Sequence, residues 1–168
     1  VELARRARAV YASDLSLPRL RRVVENIRRM DLSEIFVYVA DARRPAIREV
    51  DVVLIDAPCT GTGTFRRHPD ARWRLRMSDL AVMAALQREI LRSASTIVKP
   101  GGFLVYSTCS LETEENDTQV ERFLTEHKNW RLDPPAEGAV PATVIDAGRL
   151  RVLPQRHGTD GAFAARLR

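Results

Sequence analysis

Cysteine is scarce, with Cys59 and Cys109 the only two in 168 residues. Two thiols are too few for the disulfide scaffold of a small secreted domain, so each stands as buried filler, metal ligand or reactive thiol. Long apolar runs are also missing, and no stretch approaches the ~18–20 residues that a membrane-spanning helix needs. The first ten residues carry arginines without the apolar centre of a secretory leader. An intracellular, cytoplasmic protein without a membrane span is therefore expected. The short spacings of a metal site, C-x-x-C or H-x-x-x-H, do not occur, and no metal is expected. Internal repeats and low-complexity tracts are absent. Lysine is almost absent too: Lys99 and Lys128 stand against 25 arginines.

What is present suits one globular domain over residues 1–168. Hydrophobic residues make up 45% and charged residues 29%, which excludes disorder, collagen and coiled coil as whole-chain readings. The net charge of +5 is uneven: residues 1–76 hold 16 basic and 10 acidic side chains, a balance of +6, and residues 77–168 hold 11 and 12, a balance of −1. A basic half attracts a polyanion such as RNA. A codon bias toward arginine accounts for the same numbers.

Apolar β-branched runs alternate with helical patterns, the sequence form of an α/β domain with a mostly parallel sheet flanked by helices. Arg8 to Ser13 reads as a strand. Leu17, Leu20, Val23, Val24 and Ile27 mark a helix from Ser16 to Met30, with Ser16 as cap and Pro18 in the first turn. Strands are expected at Ile35 to Ala40 and Asp51 to Ile55, the second a continuous apolar run typical of burial on both faces. Residues 57–78 read as a long functional loop. Ser78 or Asp79 caps a helix reaching about Val98, which Lys99-Pro100-Gly101-Gly102 ends. A strand at Phe103 to Tyr106, a charged amphipathic helix from Glu112 to His127, and two final strands near 150–153 and 162–167 complete the chain.

Ligands of open α/β sheets lie beyond the carboxyl ends of the strands. Those ends carry Asp14, Asp41, Asp56-Ala57-Pro58-Cys59 and Ser107-Thr108-Cys109-Ser110, so three carboxylates and two thiols are expected on one rim. Any single Asp there also suits a cap or turn. Pro58-Cys59-Thr60-Gly61 and Thr108-Cys109-Ser110 are polar turns, which argues against both thiols being core filler. A disulfide between them would be unusual in the cytosol. No pattern sets His68, His127 or His157 beside a nucleophile, and His157 is expected to hold the closing turn.

Asp56 to Gly63, followed by Arg66 and Pro69-Asp70, resembles the fourth motif of the Nop/Sun family of RNA cytosine-C5 methyltransferases. Lys99 to Gly102 with Tyr106 to Ser110 resembles that family's sixth motif, and Pro154 to Phe163 its closing P-x-x-H-x-x-D-G-x-F. The resemblance runs in order from about Ala9 to the C-terminus. It implies a class I, Rossmann-like methyltransferase domain using S-adenosylmethionine on cytosine C5 of RNA, ribosomal RNA first among candidates. Cytosine C5 is a weak nucleophile, and a thiolate adding to C6 enriches it in electrons. By resemblance Cys109 is that nucleophile and Cys59 the thiol that helps release product. The resemblance also implies a place for Asp56 beside the base and near the cofactor, and for Asp14 and Asp41 at the cofactor's ribose and adenine. Arg66, Arg67, Arg72 and Arg74, with Trp73 and His68, fit a loop that meets RNA phosphates and stacks on a base; a solvated basic loop is the plainer reading. An amino-methylating enzyme would read D/N-P-P-aromatic where Asp-Ala-Pro-Cys stands.

The chain departs from the family in one respect. The first strand and glycine-rich loop of the family, resembling D-x-x-A-x-P-G-G-K, find no match within residues 1–168, and residues 1–10 read as the tail of the helix that follows such a loop. The expectation is an N-terminally truncated catalytic domain whose sheet lacks its first central strand, with weak cofactor binding and the option of an oligomer in which another chain supplies the strand. The alternative is a non-catalytic RNA-binding or assembly module that keeps the fold.

Overall fold

The computed structural model describes residues 7–168, which fall into two compact units divided between Ala46 and Ile47. In the first, β1 (Val10–Asp14) and β2 (Ile35–Val39) pair in parallel, from Val10 opposite Ile35 to Asp14 opposite Val39, and α1 (Leu17–Arg29) connects them. Its first turn contains Pro18, and Arg28 and Arg29 sit in the last turn, where cations complement the helix dipole. Leu20 is its buried anchor. The Ser16 hydroxyl makes no cap; instead the Ser16 N–H donates to Asp14 Oδ1 at 2.6 Å. Tyr11 and Phe36, opposite each other in register, stack with ring centroids 5.2 Å apart.

The second unit holds β3 (Val50–Asp56), α2 (Ala71–Arg74), α3 (Met77–Ser95), β4 (Val98–Thr108), α4 (Asp117–Glu126), β5 (Ile145–Asp146), β6 (Arg149–Val152), α5 (Pro154–His157) and β7 (Ala162–Leu167). The strands form one sheet in the order β3-β4-β7-β6-β5. Only β3 and β4 are parallel there; β4-β7, β7-β6 and β6-β5 are antiparallel. The expected parallel pairing therefore holds for the strands up to Thr108 and not beyond. Connection length accounts for the β5–β6 pair: Ala147 and Gly148, both at positive φ, join these strands as a two-residue hairpin turn. A parallel crossover needs a dozen residues or more.

Three local expectations are corrected. Lys99 to Gly102 does not end the helix, which stops at Ser95, but lies inside β4. Those residues bulge, since Val50 pairs with Val98 whereas Val52 already pairs with Phe103, and a Cβ on Gly102 would lie 2.6 Å from the Asp51 carbonyl oxygen. The start of α3 is set by Arg76, whose N–H donates to Asp79 Oδ2 at 2.9 Å, with Ser78 already inside the helix. Finally, β3 is not buried on both faces: Ile55 is in the core, while Val52 and Leu54 are 51% and 50% exposed. That core joins Ile55, Ile90, Leu91, Leu104, Tyr106, Val120, Phe123, Phe163 and Leu167 from β3, α3, β4, α4 and β7.

Candidate active site

Asp56 ends β3 opposite Ser107 near the end of β4, so the segments leaving both strands start side by side. The ladder continues one step further, with the Ala57 N–H donating to the Ser107 carbonyl at 2.9 Å. Gly61 then turns at φ +69, a conformation that favours glycine. Gly63 is pinned between two loops: its N–H donates to the Cys109 carbonyl at 2.9 Å, and its carbonyl accepts from the Gly161 N–H at 2.8 Å. A Cβ there would lie 2.6 Å from the Cys109 oxygen and 2.7 Å from that of Gly161. The three motif segments are thus stitched backbone to backbone.

The stitching brings Cys59 and Cys109 together as free thiols, their Sγ atoms 3.4 Å apart across 50 positions of sequence. Both are half-buried. The Cys59 S–H donated to the Cys109 sulfur draws the Cys109 thiol down to about 7, against burial and the negative charges of Asp56 and Glu115. The same contact, with burial, pushes the Cys59 thiol up. One proton shared this way leaves Cys109 a nucleophilic thiolate near neutral pH. The Asp56 carboxylate is exposed and makes no hydrogen bond among the described residues, so it is available to a ligand.

Around the thiols lies a buried polar network that the sequence did not reveal. Glu115, with 0% exposure, takes the Thr60 N–H (2.9 Å) and a Gln87 N–H (3.0 Å) on Oε1 and the Thr60 hydroxyl (2.5 Å) on Oε2. Gln87 also donates to the Pro58 carbonyl at 2.8 Å. Asn116 takes the Thr108 hydroxyl at 2.6 Å and donates to the Ser110 carbonyl at 2.9 Å. The run Glu112 to Asp117 looks like the solvated start of a helix, yet Glu115, Asn116 and Asp117 are buried in a short 3₁₀ turn and the first turn of α4. The one available signal is Asn116 where helical periodicity calls for a helix former.

The remaining predicted residues divide between the two units. In the first, Asp14 and Asp41 lie at the carboxyl ends of β1 and β2. Besides its Ser16 bond, Asp14 has Arg19 3.6 Å from Oδ2. Asp41 is gripped by the Arg43 guanidinium at 2.7–3.1 Å and by its N–H at 2.9 Å, which holds the carboxyl below the usual range. In the second unit, Arg66 and Arg67 both pair with Asp160, and Arg74 pairs with Asp70. Arg72 and Trp73 sit on α2, with Trp73 85% exposed. His157 holds the closing turn as expected: Nδ1 accepts the Leu153 N–H at 2.9 Å and Nε2 lies 3.1 Å from the Thr143 carbonyl. Among the described residues no three His, Cys, Asp or Glu side chains cluster as a metal set, and no helix is long and apolar enough to cross a membrane.

The family described as 16S rRNA methyltransferase RsmB/F matches over residues 1–168. The probable ribosomal RNA small subunit methyltransferase B of Synechocystis sp. is 38% identical over 166 residues, 95% of this chain and 37% of that protein. Ribosomal RNA small subunit methyltransferase B of Vibrio cholerae is 43% identical over 160 residues, 93% of this chain and 35% of that protein. The solved structure of NSun6 from Pyrococcus horikoshii with SFG, an S-adenosylmethionine analogue, aligns with a TM-score of 0.80 at 32% identity, covering 95% of this chain and 41% of that one. The chain thus spans little more than a third of the length of the curated relatives it matches. With its paired thiols at the ends of adjacent parallel strands and a match along its whole length, the chain belongs to the RsmB/F (Nop/Sun) family of 16S rRNA methyltransferases, with their class I Rossmann-like fold.

Proposed function

We propose that this chain carries the reaction centre of an enzyme that methylates C5 of a cytosine in small-subunit ribosomal RNA, in the cytoplasm, through a covalent adduct at Cys109. The observation that carries the reading is the 3.4 Å approach of two free thiols, one of them drawn toward the thiolate at neutral pH. When bound, S-adenosylmethionine supplies an electrophilic methyl group. Asp14 and Asp41 fit its adenosine half, because strand-end carboxylates accept hydroxyl and amino hydrogens; Asp41 does so while shared with Arg43.

The chain's own residues supply the activation. Cys109 Sγ bonds to cytosine C6, and the C5–C6 π pair moves onto C5 as the pyrimidine N3 edge takes up the developing charge. Asp56, unbonded within the described chain, fits the role of a protonated carboxyl that donates its hydrogen to N3 as the charge builds and accepts one from the exocyclic amine. After C5 has been methylated, loss of its proton returns the electron pair to C5–C6 and expels Cys109 as thiolate. The C5 proton leaves to solvent, and Cys59, held as the thiol, donates its S–H to the departing Cys109 sulfur. Arg66, Arg67, Arg72 and Arg74 meet phosphates, and exposed Trp73 offers a face on which an unpaired base stacks.

The test is mass spectrometry after incubation with S-adenosylmethionine and a small-subunit rRNA fragment containing 5-fluorocytosine, whose C5 fluorine blocks the final elimination. The expected product is a methylated RNA adduct on the Cys109 peptide, absent in Cys109→Ala. Cofactor and RNA binding without an adduct would favour a non-catalytic RNA-binding module.

A further inference from the structure

The two residues on either side of Cys59 are held by groups from distant elements. Gln87, on α3, donates one N–H to the Pro58 carbonyl at 2.8 Å and another contact to Glu115 Oε1 at 3.0 Å. Glu115 in turn accepts the Thr60 N–H and the Thr60 hydroxyl. The carbonyl before the thiol and the amide after it are therefore clamped by one buried pair. Gln87 is fully buried and its Oε1 has no partner among the described residues. A buried unpartnered carbonyl is unfavourable, so this side chain is kept for its donors. On the opposite side Asn116 fixes Thr108 and Ser110, the neighbours of Cys109. The Thr60 and Thr62 hydroxyls approach Ser110 Oγ at 3.4 and 3.3 Å and tie the two halves together.

We propose that Gln87 and Glu115 are positioning residues for Cys59, a clamp that holds its Sγ against Cys109 so that the second thiol can serve the first. The proposal rests on the reading of Cys59 and Cys109 as a working pair. It assigns no contact with RNA or cofactor to the clamp. Glu115 cannot be acting merely as a nearby charge, because its negative charge disfavours the Cys109 thiolate, whereas holding Cys59 in place favours it.

The charge of Glu115 is therefore left in place, and the clamp is loosened through its neutral partners. The ionisable groups around the thiols are Asp56 from the end of β3, Tyr106 from β4 and Glu115 from the 3₁₀ turn. Iodoacetamide alkylation of Cys109, followed across pH 5.5–9.5 ~ in half-unit steps and assigned by peptide mass, reads the thiolate directly. It requires neither RNA nor cofactor. Wild type is expected to titrate near 7, and Cys59→Ala to move the midpoint toward the ordinary thiol value of ~8.5. Gln87→Leu, which changes no charge, is expected to raise the midpoint by about one unit and slow alkylation at pH 7 about fivefold. In a Cys59→Ala background Gln87→Leu should have no further effect.

Should Gln87→Leu not fold, as judged by circular dichroism, the isosteric Thr60→Val tests the Glu115 arm and is expected to shift the midpoint in the same direction. An unchanged midpoint in a folded clamp variant, or the same shift with and without Cys59, would overturn the clamp. An unchanged midpoint in Cys59→Ala would overturn the thiol pairing itself. Failure to form the RNA adduct while the clamp variants behave as expected would instead count against the methylation reading alone.

Discussion

At the scale of single residues, the site separates groups that hold the structure from groups that are available for chemistry. Gly63 belongs to the first kind: its hydrogens face the Cys109 and Gly161 carbonyl oxygens, so a methyl group there must push backbone aside. Gly63→Ala is expected to cost about 1–3 kcal/mol, the usual range for overpacking, read as a lowered denaturation midpoint. Asp56 belongs to the second kind. It is exposed and bonds to nothing in the described chain, so Asp56→Ala should leave stability within ~0.5 kcal/mol of wild type while methyl transfer falls by a hundredfold or more, on the order expected of a lost charge-stabilising group. A comparable loss of stability in Asp56→Ala would make it a structural residue. The thiols themselves were legible in the sequence, because each stands in a polar turn after an apolar run. Gln87 and Glu115 were not, because a Gln on a helical stripe and a Glu in an acidic run carry no mark of burial until the fold closes over them.

At the scale of elements, α4 is fixed through its first residue. Asp117 is 9% exposed and receives Arg149 at 2.7 Å and Arg151 at 2.6 Å, which ties the helix N-terminus to β6. Its charge also suits the positive end of the helix dipole. Asp117→Asn leaves two arginines short of a partner; since Glu121 and Asp146 remain within reach, the expected loss is about 2–3 kcal/mol, below the full cost of breaking a buried pair. Chemical denaturation checks it, and a loss under ~0.5 kcal/mol would assign the cluster to the solvated surface. Elements with clear periodicity were placed from sequence alone: α1, β2, β3 and β7 lie within two residues of expectation. The Lys99 to Gly102 segment was misread because Pro and Gly punctuate helices and bulges alike, and only the pairing with Val50 and Val52 distinguishes them. The antiparallel half of the sheet was hidden for a related reason: direction is decided by connection length and turn geometry, not by the apolar pattern that marks a strand.

At the scale of the whole molecule, the uneven charge becomes informative once the arginines are seen in place. Residues 1–76 carry +6, but the four arginines assigned to RNA are not equivalent. Arg66 and Arg67 share Asp160, so part of their charge is already neutralised, and Arg74 pairs with Asp70, which is itself exposed. Arg72 and Arg74 lie on α2 beside the exposed Trp73. If this short helix is the RNA-facing edge, each phosphate contact it makes should contribute about 0.7 to the slope of log affinity against log salt for a single strand. Arg72→Ala with Arg74→Ala should therefore reduce that slope by about 1.4, measured by fluorescence anisotropy with an unpaired rRNA fragment over a range of salt concentrations. Arg66→Ala with Arg67→Ala should reduce it less, because removing those two also frees Asp160 to repel the strand. A larger change from the Asp160 pair would move the RNA-facing surface away from α2 and toward the loop that closes over Gly63 and Cys109.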